Sequence, residues 1–152
     1  WWFNRLGAQS RAFDTPFGRC GILICNDRWN ATLARIPALD GAQFLVIPSY
    51  GSTGKAQDDA VLSRARETRL PVIEANVGVS LIVNDGEIAA VERKDVNVVF
   101  SDITIPPPPP LQPSERDREE QAFLVWRAEE MKRRFEAKNH RFGKEGSAGK
   151  EQ

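Results

Sequence analysis

The chain has 152 residues, of which 41% are hydrophobic and 28% are charged, a composition that suits one globular domain with some additional non-core sequence. Lysines and arginines equal aspartates and glutamates in number, so no basic or acidic field points to nucleic acid or to a cationic partner. No apolar run approaches the roughly 20 residues that a membrane span needs. We therefore expect neither nucleic acid nor a membrane among the partners.

The two cysteines and the single histidine limit the possible chemistry. Cys20 and Cys25 are an odd number of positions apart along one predicted strand, which places them on opposite faces and excludes a bridge between them. Reduced thiols indicate a cytoplasmic protein. Two cysteines and one histidine give no zinc-ligand pattern, and we expect no metal and no other cofactor. Because the chain opens on Trp1 without a methionine, we expect an internal start, with any targeting sequence upstream.

The periodicity of apolar residues predicts strands and helices in alternation, followed by a run of strands. The predicted elements are, in chain order, an edge strand starting at residue 12, a strand at 22–25, a helix at 32–39, a strand at 44–47, a helix at 57–70, strands at 72–75, 77–83 and 87–92, and a last strand at 96–105. Asn84-Asp85-Gly86 is a strong hairpin signal. This order indicates a mixed α/β sheet, parallel at first and antiparallel at its end.

Two short helices are too few to cover both faces of such a sheet, so we expect a partner chain or an N-terminal part of the protein to supply the remaining cover. Beyond the sheet, a polyproline run at 106–110 predicts a stiff, extended connection. Ser114 then caps a long helix over residues 115–142 with charges of alternating sign. We interpret it as a solvated helix laid on the domain or on a partner subunit, in preference to a dedicated recognition helix.

The predicted organisation therefore has four parts. They are an α/β domain at 1–105, a proline-rich linker at 106–113, a charged amphipathic helix at 114–142 and a disordered tail at 143–152.

Cys25 has two interpretations. A free cysteine after three aliphatic residues is usually a small buried hydrophobe. The polar Asn26, Asp27 and Arg28 favour a functional site instead, because the carboxyl ends of strands in open α/β sheets are where such proteins carry their chemistry. Backbone N–H groups and a helix start at that point would stabilise a thiolate.

A cysteine nucleophile needs a base, and the histidine that serves this purpose in papain-like enzymes has no counterpart in the core. His140, the single histidine, lies in the predicted tail helix beyond the proline linker. A catalytic Cys25 would therefore depend on a carboxylate, or on a base that lies outside these residues.

The glycine-rich loop at residues 49–54 follows the second predicted buried strand. It lacks the lysine-serine/threonine pair of a phosphate-binding P-loop, so we interpret it as a flexible rim over a pocket. Ser49 and Tyr50, at its start, are candidate substrate-binding residues.

Several blocks of the sequence resemble the carbon–nitrogen hydrolase (nitrilase) superfamily, over residues 10–105. The first block runs from Phe13 to Arg28, and its Cys-Asn-Asp-Arg form is most similar to the N-carbamoyl amino acid amidohydrolase branch. The other matching segments are Gly41-Ala42, Ile47-Pro48-Ser49, Arg64-Ala65-Arg66-Glu67, residues 71–76, Gly78-Val79-Ser80 and residues 84–88.

The resemblance implies an αββα sandwich made of two α/β halves, of which this chain supplies the C-terminal one, assembled into dimers or larger homo-oligomers. The family uses a Glu-Lys-Cys triad, and Cys25 matches its nucleophile. That cysteine attacks an amide, carbamoyl or nitrile carbon to give a thioester-type acyl-enzyme, which water then hydrolyses. The glutamate and lysine belong to the N-terminal half, so we expect this chain alone to be inactive.

The same resemblance assigns roles to the neighbours of Cys25. The backbone N–H of Asn26 matches the oxyanion-hole position. Arg28 matches the residue that binds a substrate carboxylate in the carbamoylase branch. Its alternative role is a structural ion pair with Asp27 or the sheet edge. Trp29 stands where a second arginine is usual, which predicts a bulkier or less charged pocket wall.

Two further matches, Glu67 and Asn76, fall at positions that shape the sheet and the subunit contact, and we interpret both as structural. The alternative to an enzyme is a degenerate, non-catalytic hydrolase module that serves assembly through its tail helix. The histidine-free core, the unusual sequence at residues 29–32 and the long charged helix favour this alternative.

Overall fold

The computed structural model describes residues 7, 9–51, 53–95 and 98–145, with side chains described as far as residue 137. The predictions for residues 1–6 and 146–152 lie outside this range. Six strands form one sheet, and two helices are packed against it. The strands are β1 (Phe13–Thr15), β2 (Gly18–Ile22), β3 (Phe44–Ser49), β4 (Val72–Asn76), β5 (Val79–Asn84) and β6 (Glu87–Glu92). The helices are a short 3-10 helix (Cys25–Trp29), α1 (Ala31–Leu39), α2 (Lys55–Thr68) and a long α3 (Pro113–Glu145).

The strands lie in the sheet in their sequence order, from β1 to β6. The pairs β2–β3 and β3–β4 are parallel, and the other three pairs are antiparallel. Each parallel pair is joined by a crossover that contains a helix. Because both crossovers advance in the same direction and such crossovers are right-handed, α1 and α2 lie on the same face of the sheet. The predicted mixed α/β sheet and its hairpin at Asn84-Asp85-Gly86 are confirmed.

The hydrophobic core lies between the sheet and the two helices that cover one of its faces. Alternate residues of β3, β4 and β5 are fully buried there and pack with apolar residues of both helices. These residues are Leu45, Ile47, Val72, Leu81, Val83, Ala34, Val61 and Ala65. On the opposite face, Ile22 remains 42% exposed. The described chain therefore covers one face of its sheet, as half of an αββα sandwich does.

Two predicted strands differ from the structure. The predicted strand at 22–25 lies earlier in the structure, as β2 at Gly18–Ile22. Its last backbone bond to β3 runs from the Leu23 N–H to the Val46 carbonyl (3.0 Å), and the chain then turns into the 3-10 helix at Cys25. The predicted strand at 96–105 is wrong over 98–105, which has no regular secondary structure. Val98 and Phe100 are 74% and 84% exposed, and the segment extends from Ile82 to Gly18 across the open face. Its alternating pattern finds no strand to pair with in this part of the protein.

Helix α3 packs on α1 through ion pairs along its first turns. Arg116 bonds Asp40 at 2.7 Å, and Glu119 bonds Arg35 at 3.0 Å. Glu120 bonds Arg11, which precedes β1, at 2.7 Å. Phe123 is 5% exposed. Further along, the helix leaves apolar side chains in solvent, including Val125 and Phe135. The helix begins with a proline, as helices often do, and runs slightly beyond the predicted limits at both ends.

Gly21 allows α1 to lie directly on β2. A Cβ added there would sit 2.7 Å from both Pro37 Cβ and Leu45 Cδ2. Gly21→Ala should lower the free energy of unfolding by about 1–3 kcal/mol, since an added methyl group in a tight core forces its neighbours apart. Urea denaturation measures the loss. Gly7→Ala is the control, because its nearest heavy atom is 4.0 Å away, and an equal loss in both variants would contradict the packing argument.

Asp40 connects α1 to both ends of the chain. Its carboxylate accepts hydrogen bonds from Ala12 N (3.1 Å), Arg19 Nη2 (3.4 Å) and Arg116 Nη1 (2.7 Å). Asp40→Asn should cost about 1–3 kcal/mol, because a buried donor loses its charged acceptor. Asp14→Asn removes the exposed second partner of Arg19 and should cost less than about 1 kcal/mol. Denaturation of the two variants side by side tests this, and equal effects would show that Asp40 does not anchor α3.

Candidate active site

Cys25 lies at the carboxyl end of the parallel strands, between β2 and α1. Its φ is +51°, in the left-handed region that residues other than glycine seldom adopt. Among the described residues, the other two non-glycine examples have local causes, since Arg69 ends α2 and Asp85 is in the hairpin turn. Strained backbone of this kind persists where the surrounding structure fixes it, and it is common at active sites.

The two thiols are free and lie in different environments. Cys25 is half-buried, so this residue is not sealed in the core. Cys20 is 3% exposed, and burial raises the pKa of its thiol. The interpretation as a small buried hydrophobe therefore fits Cys20 and not Cys25.

The turn that presents Cys25 is held by the polar residues that follow it. Asp27 Oδ2 accepts a hydrogen bond from Ile24 N at 2.8 Å, and Asn30 Oδ1 caps α1 by accepting from Thr32 N at 3.0 Å. Burial raises the pKa of Asp27, and the Ile24 N–H opposes that rise. Asp27 and Asn30 thus shape the backbone on either side of the 3-10 helix.

The sulfur of Cys25 has three polar neighbours. The thiol donates to the Tyr50 carbonyl at 3.7 Å and lies 4.0 Å from Asn26 Oδ1. Arg28 Nη2 is 3.9 Å from the sulfur. Asn26, Trp29 and Tyr50 are exposed around it. The structure thus brings together the predicted residues Cys25, Asn26, Arg28 and Tyr50, with Trp29 at 51% exposure on the same 3-10 helix.

Arg28 is 1% exposed and forms an ion pair with Glu74 on β4, whose side chain is fully buried. The same carboxylate accepts hydrogen bonds from Ser49 Oγ (3.0 Å) and from Gln57 Nε2 on α2. The ion-pair partner of Arg28 is thus Glu74, not Asp27 or the sheet edge. Sequence analysis did not identify Glu74 or Gln57 as site residues. The signal in the sequence that could have identified Glu74 is a charged residue on the inward face of β4, which is otherwise mostly apolar.

The protonation of Glu74 is set by opposing effects. Burial raises the pKa of its carboxyl group, and Asp58 adds to that rise. The Arg28 guanidinium and the hydrogen bonds from Ser49 and Gln57 oppose it, and the net direction is upward. The folded chain therefore favours the protonated form more than the unfolded chain does. Ionisation costs stability as pH rises from the unfolded pKa through the raised folded pKa.

Two kinds of feature are absent from the described residues. They contain no group of three histidine, cysteine, aspartate or glutamate side chains that could hold a metal ion. None of their helices is both long and apolar enough to cross a membrane.

Replacing one member of the buried Arg28–Glu74 pair should lower the free energy of unfolding far more than replacing both. Arg28→Met leaves the Glu74 charge uncompensated and should lower the free energy of unfolding by about 3–5 kcal/mol, whereas Arg28→Met/Glu74→Met should recover most of that loss. Arg66→Met breaks an exposed pair with Glu87 and should cost less than about 1 kcal/mol. Denaturation of the four proteins tests this, and a double variant as unstable as Arg28→Met would contradict it.

Comparison with known proteins shows the family. The model of the carbon–nitrogen hydrolase family matches residues 3–104. The chain is 34% identical to the human omega-amidase over 114 residues, which is 65% of this chain and 41% of the relative. It is 32% identical to N-carbamoylputrescine amidase of Solanum lycopersicum over 83 residues, which is 54% of this chain and 26% of the relative.

A solved structure shares the fold. A mutant amidase from Nesterenkonia sp. AN1, with acrylamide added at its active-site cysteine, superposes with a TM-score of 0.57 at 18% identity. The match covers 62% of this chain and 42% of the amidase. The chain thus spans less than half the length of these relatives. With its family match over two thirds of its residues and its half of the αββα sandwich, the chain belongs to the carbon–nitrogen hydrolase family.

Proposed function

We propose that this chain is the C-terminal half of a cysteine-dependent hydrolase of non-peptide C–N bonds, with Cys25 as the nucleophile. The observation that carries this proposal is the geometry of Cys25. It is a free, half-buried thiol on a left-handed backbone turn at the carboxyl end of the parallel strands. A residue held this way is accessible to a substrate and is fixed in position, as a nucleophile must be.

The proposed reaction has two steps. The Cys25 thiolate attacks the amide or carbamoyl carbon, the C–N bond breaks as a proton reaches the nitrogen, and a thioester remains on the sulfur. Water then adds to the thioester and returns the sulfur as a leaving group. A nitrile would instead give a thioimidate, to which one water adds with loss of ammonia to form the thioester that a second water hydrolyses. The backbone N–H of Asn26 is proposed to stabilise the oxyanion.

The other residues of the rim have proposed supporting roles. Trp29 and Tyr50 are exposed beside Cys25 and would contact the substrate. The Ser49 hydroxyl donates to Glu74, so its proposed role is to hold this carboxylate. The base that activates the thiol is proposed to be the glutamate of the triad, which together with the lysine would come from the N-terminal half. That half would also cover the open face of the sheet.

The names of the relatives support an amide or a carbamoyl group as the substrate class. Assembly into a homo-oligomer is proposed from the family resemblance. The alternative function is a non-catalytic module for assembly. The observation that favours it is α3, which is anchored on α1 by its first turns and leaves Val125 and Phe135 exposed beyond them.

The test is Cys25→Ala in the full-length protein that contains this chain, assayed on a panel of amides, carbamoyl amino acids and nitriles. We expect kcat to fall by at least about a thousandfold, as is usual when a covalent nucleophile is removed. Cys20→Ala is the matched control, because it removes the other thiol from a buried site, and it should keep its activity.

The acyl-enzyme offers a direct readout. Quenched reactions of the native protein should contain a mass adduct on the peptide of Cys25 that hydroxylamine removes. Equal turnover by Cys25→Ala and the native protein would refute the nucleophile. A full-length protein inactive on the whole panel, which still assembles through α3, would favour the assembly module.

A further inference from the structure

The wall of the site beside Cys25 contains a cation whose charge is neutralised. Arg28 Nη2 lies 3.9 Å from the Cys25 sulfur, and Nη1 of the same guanidinium is bound to Glu74. The side chains of Arg28 and Glu74 are 1% and 0% exposed. To bind Arg28, a substrate anion would have to compete with the Glu74 carboxylate, which is already in contact with the guanidinium and already removed from water.

Hydrogen bonds from two other elements hold the Glu74 carboxylate in place. Ser49 at the end of β3 and Gln57 on α2 each donate a hydrogen bond to it, and Glu74 itself is on β4. Arg64 on α2 donates to the backbone carbonyl of Arg28 at 3.3 Å, which ties the 3-10 helix to the same assembly. Glu74 cannot turn away without breaking the hydrogen bonds from Arg28, Ser49 and Gln57, and the buried Arg28 guanidinium would lose its carboxylate partner.

Cations at the neighbouring part of the rim are paired as well. Lys55 at the start of α2 bonds Asp59 at 2.6 Å, and Arg93 bonds Asp58 and the Thr53 carbonyl. Two cationic side chains beside the loop at residues 49–54 are therefore already engaged with carboxylates. Among the described residues, a carboxylate on the substrate would lose water near Cys25 without gaining a free cation.

We propose that Glu74 is a specificity-determining residue, which by neutralising Arg28 makes this site select amide or carbamoyl substrates whose acyl portion is uncharged. The inference rests on the proposed function, in which Cys25 is the nucleophile. Arg28 thereby acts as part of a neutral pair that positions the 3-10 helix, in place of the carboxylate-binding role that the family resemblance implies.

Alkylation of Cys25 tests the charge of this wall without any catalysis. The 152-residue chain is treated with iodoacetate, an anion, and with iodoacetamide, its neutral analogue, and the rates at Cys25 are read by peptide mass spectrometry. The ratio of the two rates cancels the nucleophilicity of the thiolate and reports the local field. Glu74→Gln should raise the ratio at least about fivefold, the effect of one unpaired unit charge about 4 Å away in water.

Two more variants complete the experiment. Arg28→Met/Glu74→Met removes the pair as a unit and should keep the native ratio within about twofold, since no net charge is lost. Glu67→Gln removes a carboxylate paired with Arg64 and should also keep it. A fivefold fall in the double variant would mean that Arg28 attracts anions in the native chain, and would overturn the proposal. A folded Glu74→Gln with the native ratio would do the same, and if that variant does not fold, the double variant decides.

Kinetics of the full-length protein separate this inference from the proposed function. Valeramide and glutaramate are similar in size and differ by a terminal carboxylate, and we expect kcat/KM to favour valeramide at least about tenfold. An active enzyme that prefers glutaramate would overturn the role of Glu74 and leave Cys25 as the nucleophile. Inactivity on both, with the expected alkylation ratios, would refute the hydrolase and leave the neutral pair established.

Discussion

The arrangement of this site depends on one buried carboxylate. A charge like that of Glu74 costs several kcal/mol to remove from water, and the cost is recovered only if its partners are close and well oriented. Arg28, Ser49 and Gln57 meet that requirement from the 3-10 helix, β3 and α2. The position of the Cys25 turn follows from this, because Arg28 is one turn of the same 3-10 helix away. The network thus connects the core of the sheet to the Cys25 sulfur.

The opposite end of α1 is fixed by a second set of charges. The Asp40 carboxylate accepts hydrogen bonds from Ala12, Arg19 and Arg116. Gly21, which has no side chain, lets Pro37 of α1 pack closely on β2. Helix α1 is therefore held at its carboxyl end by the start of α3 and at its amino end by the Asn30 cap. Because both ends of α1 are held, the turn that precedes it at Cys25 is also kept in place. The contacts of α3 with α1 therefore help to maintain the geometry of the site.

The sequence predicted the features that depend on local pattern. The hairpin at Asn84-Asp85-Gly86 and the helices followed from turn chemistry and periodicity. The pairing of Arg28 with Glu74 spans 46 positions and depends on the register of β3 with β4, which no local pattern contains. The three aliphatic residues before Cys25 predict a strand that ends on this cysteine, whereas its positive φ accompanies the hydrogen bond from Ile24 N to Asp27, which the aliphatic pattern does not contain.

The error at residues 98–105 has a different origin and bears on how the site is completed. The alternating pattern of a strand is present there, but a strand needs a neighbour, and the segment lies on the open face of the sheet without one. Ile24, directly before Cys25, and Ile22, three positions before it, are 64% and 42% exposed. A layer that covers these two residues must end next to the sulfur. A layer that buried this apolar surface would therefore also border Cys25, and the apolar surface itself would supply the driving force for its docking.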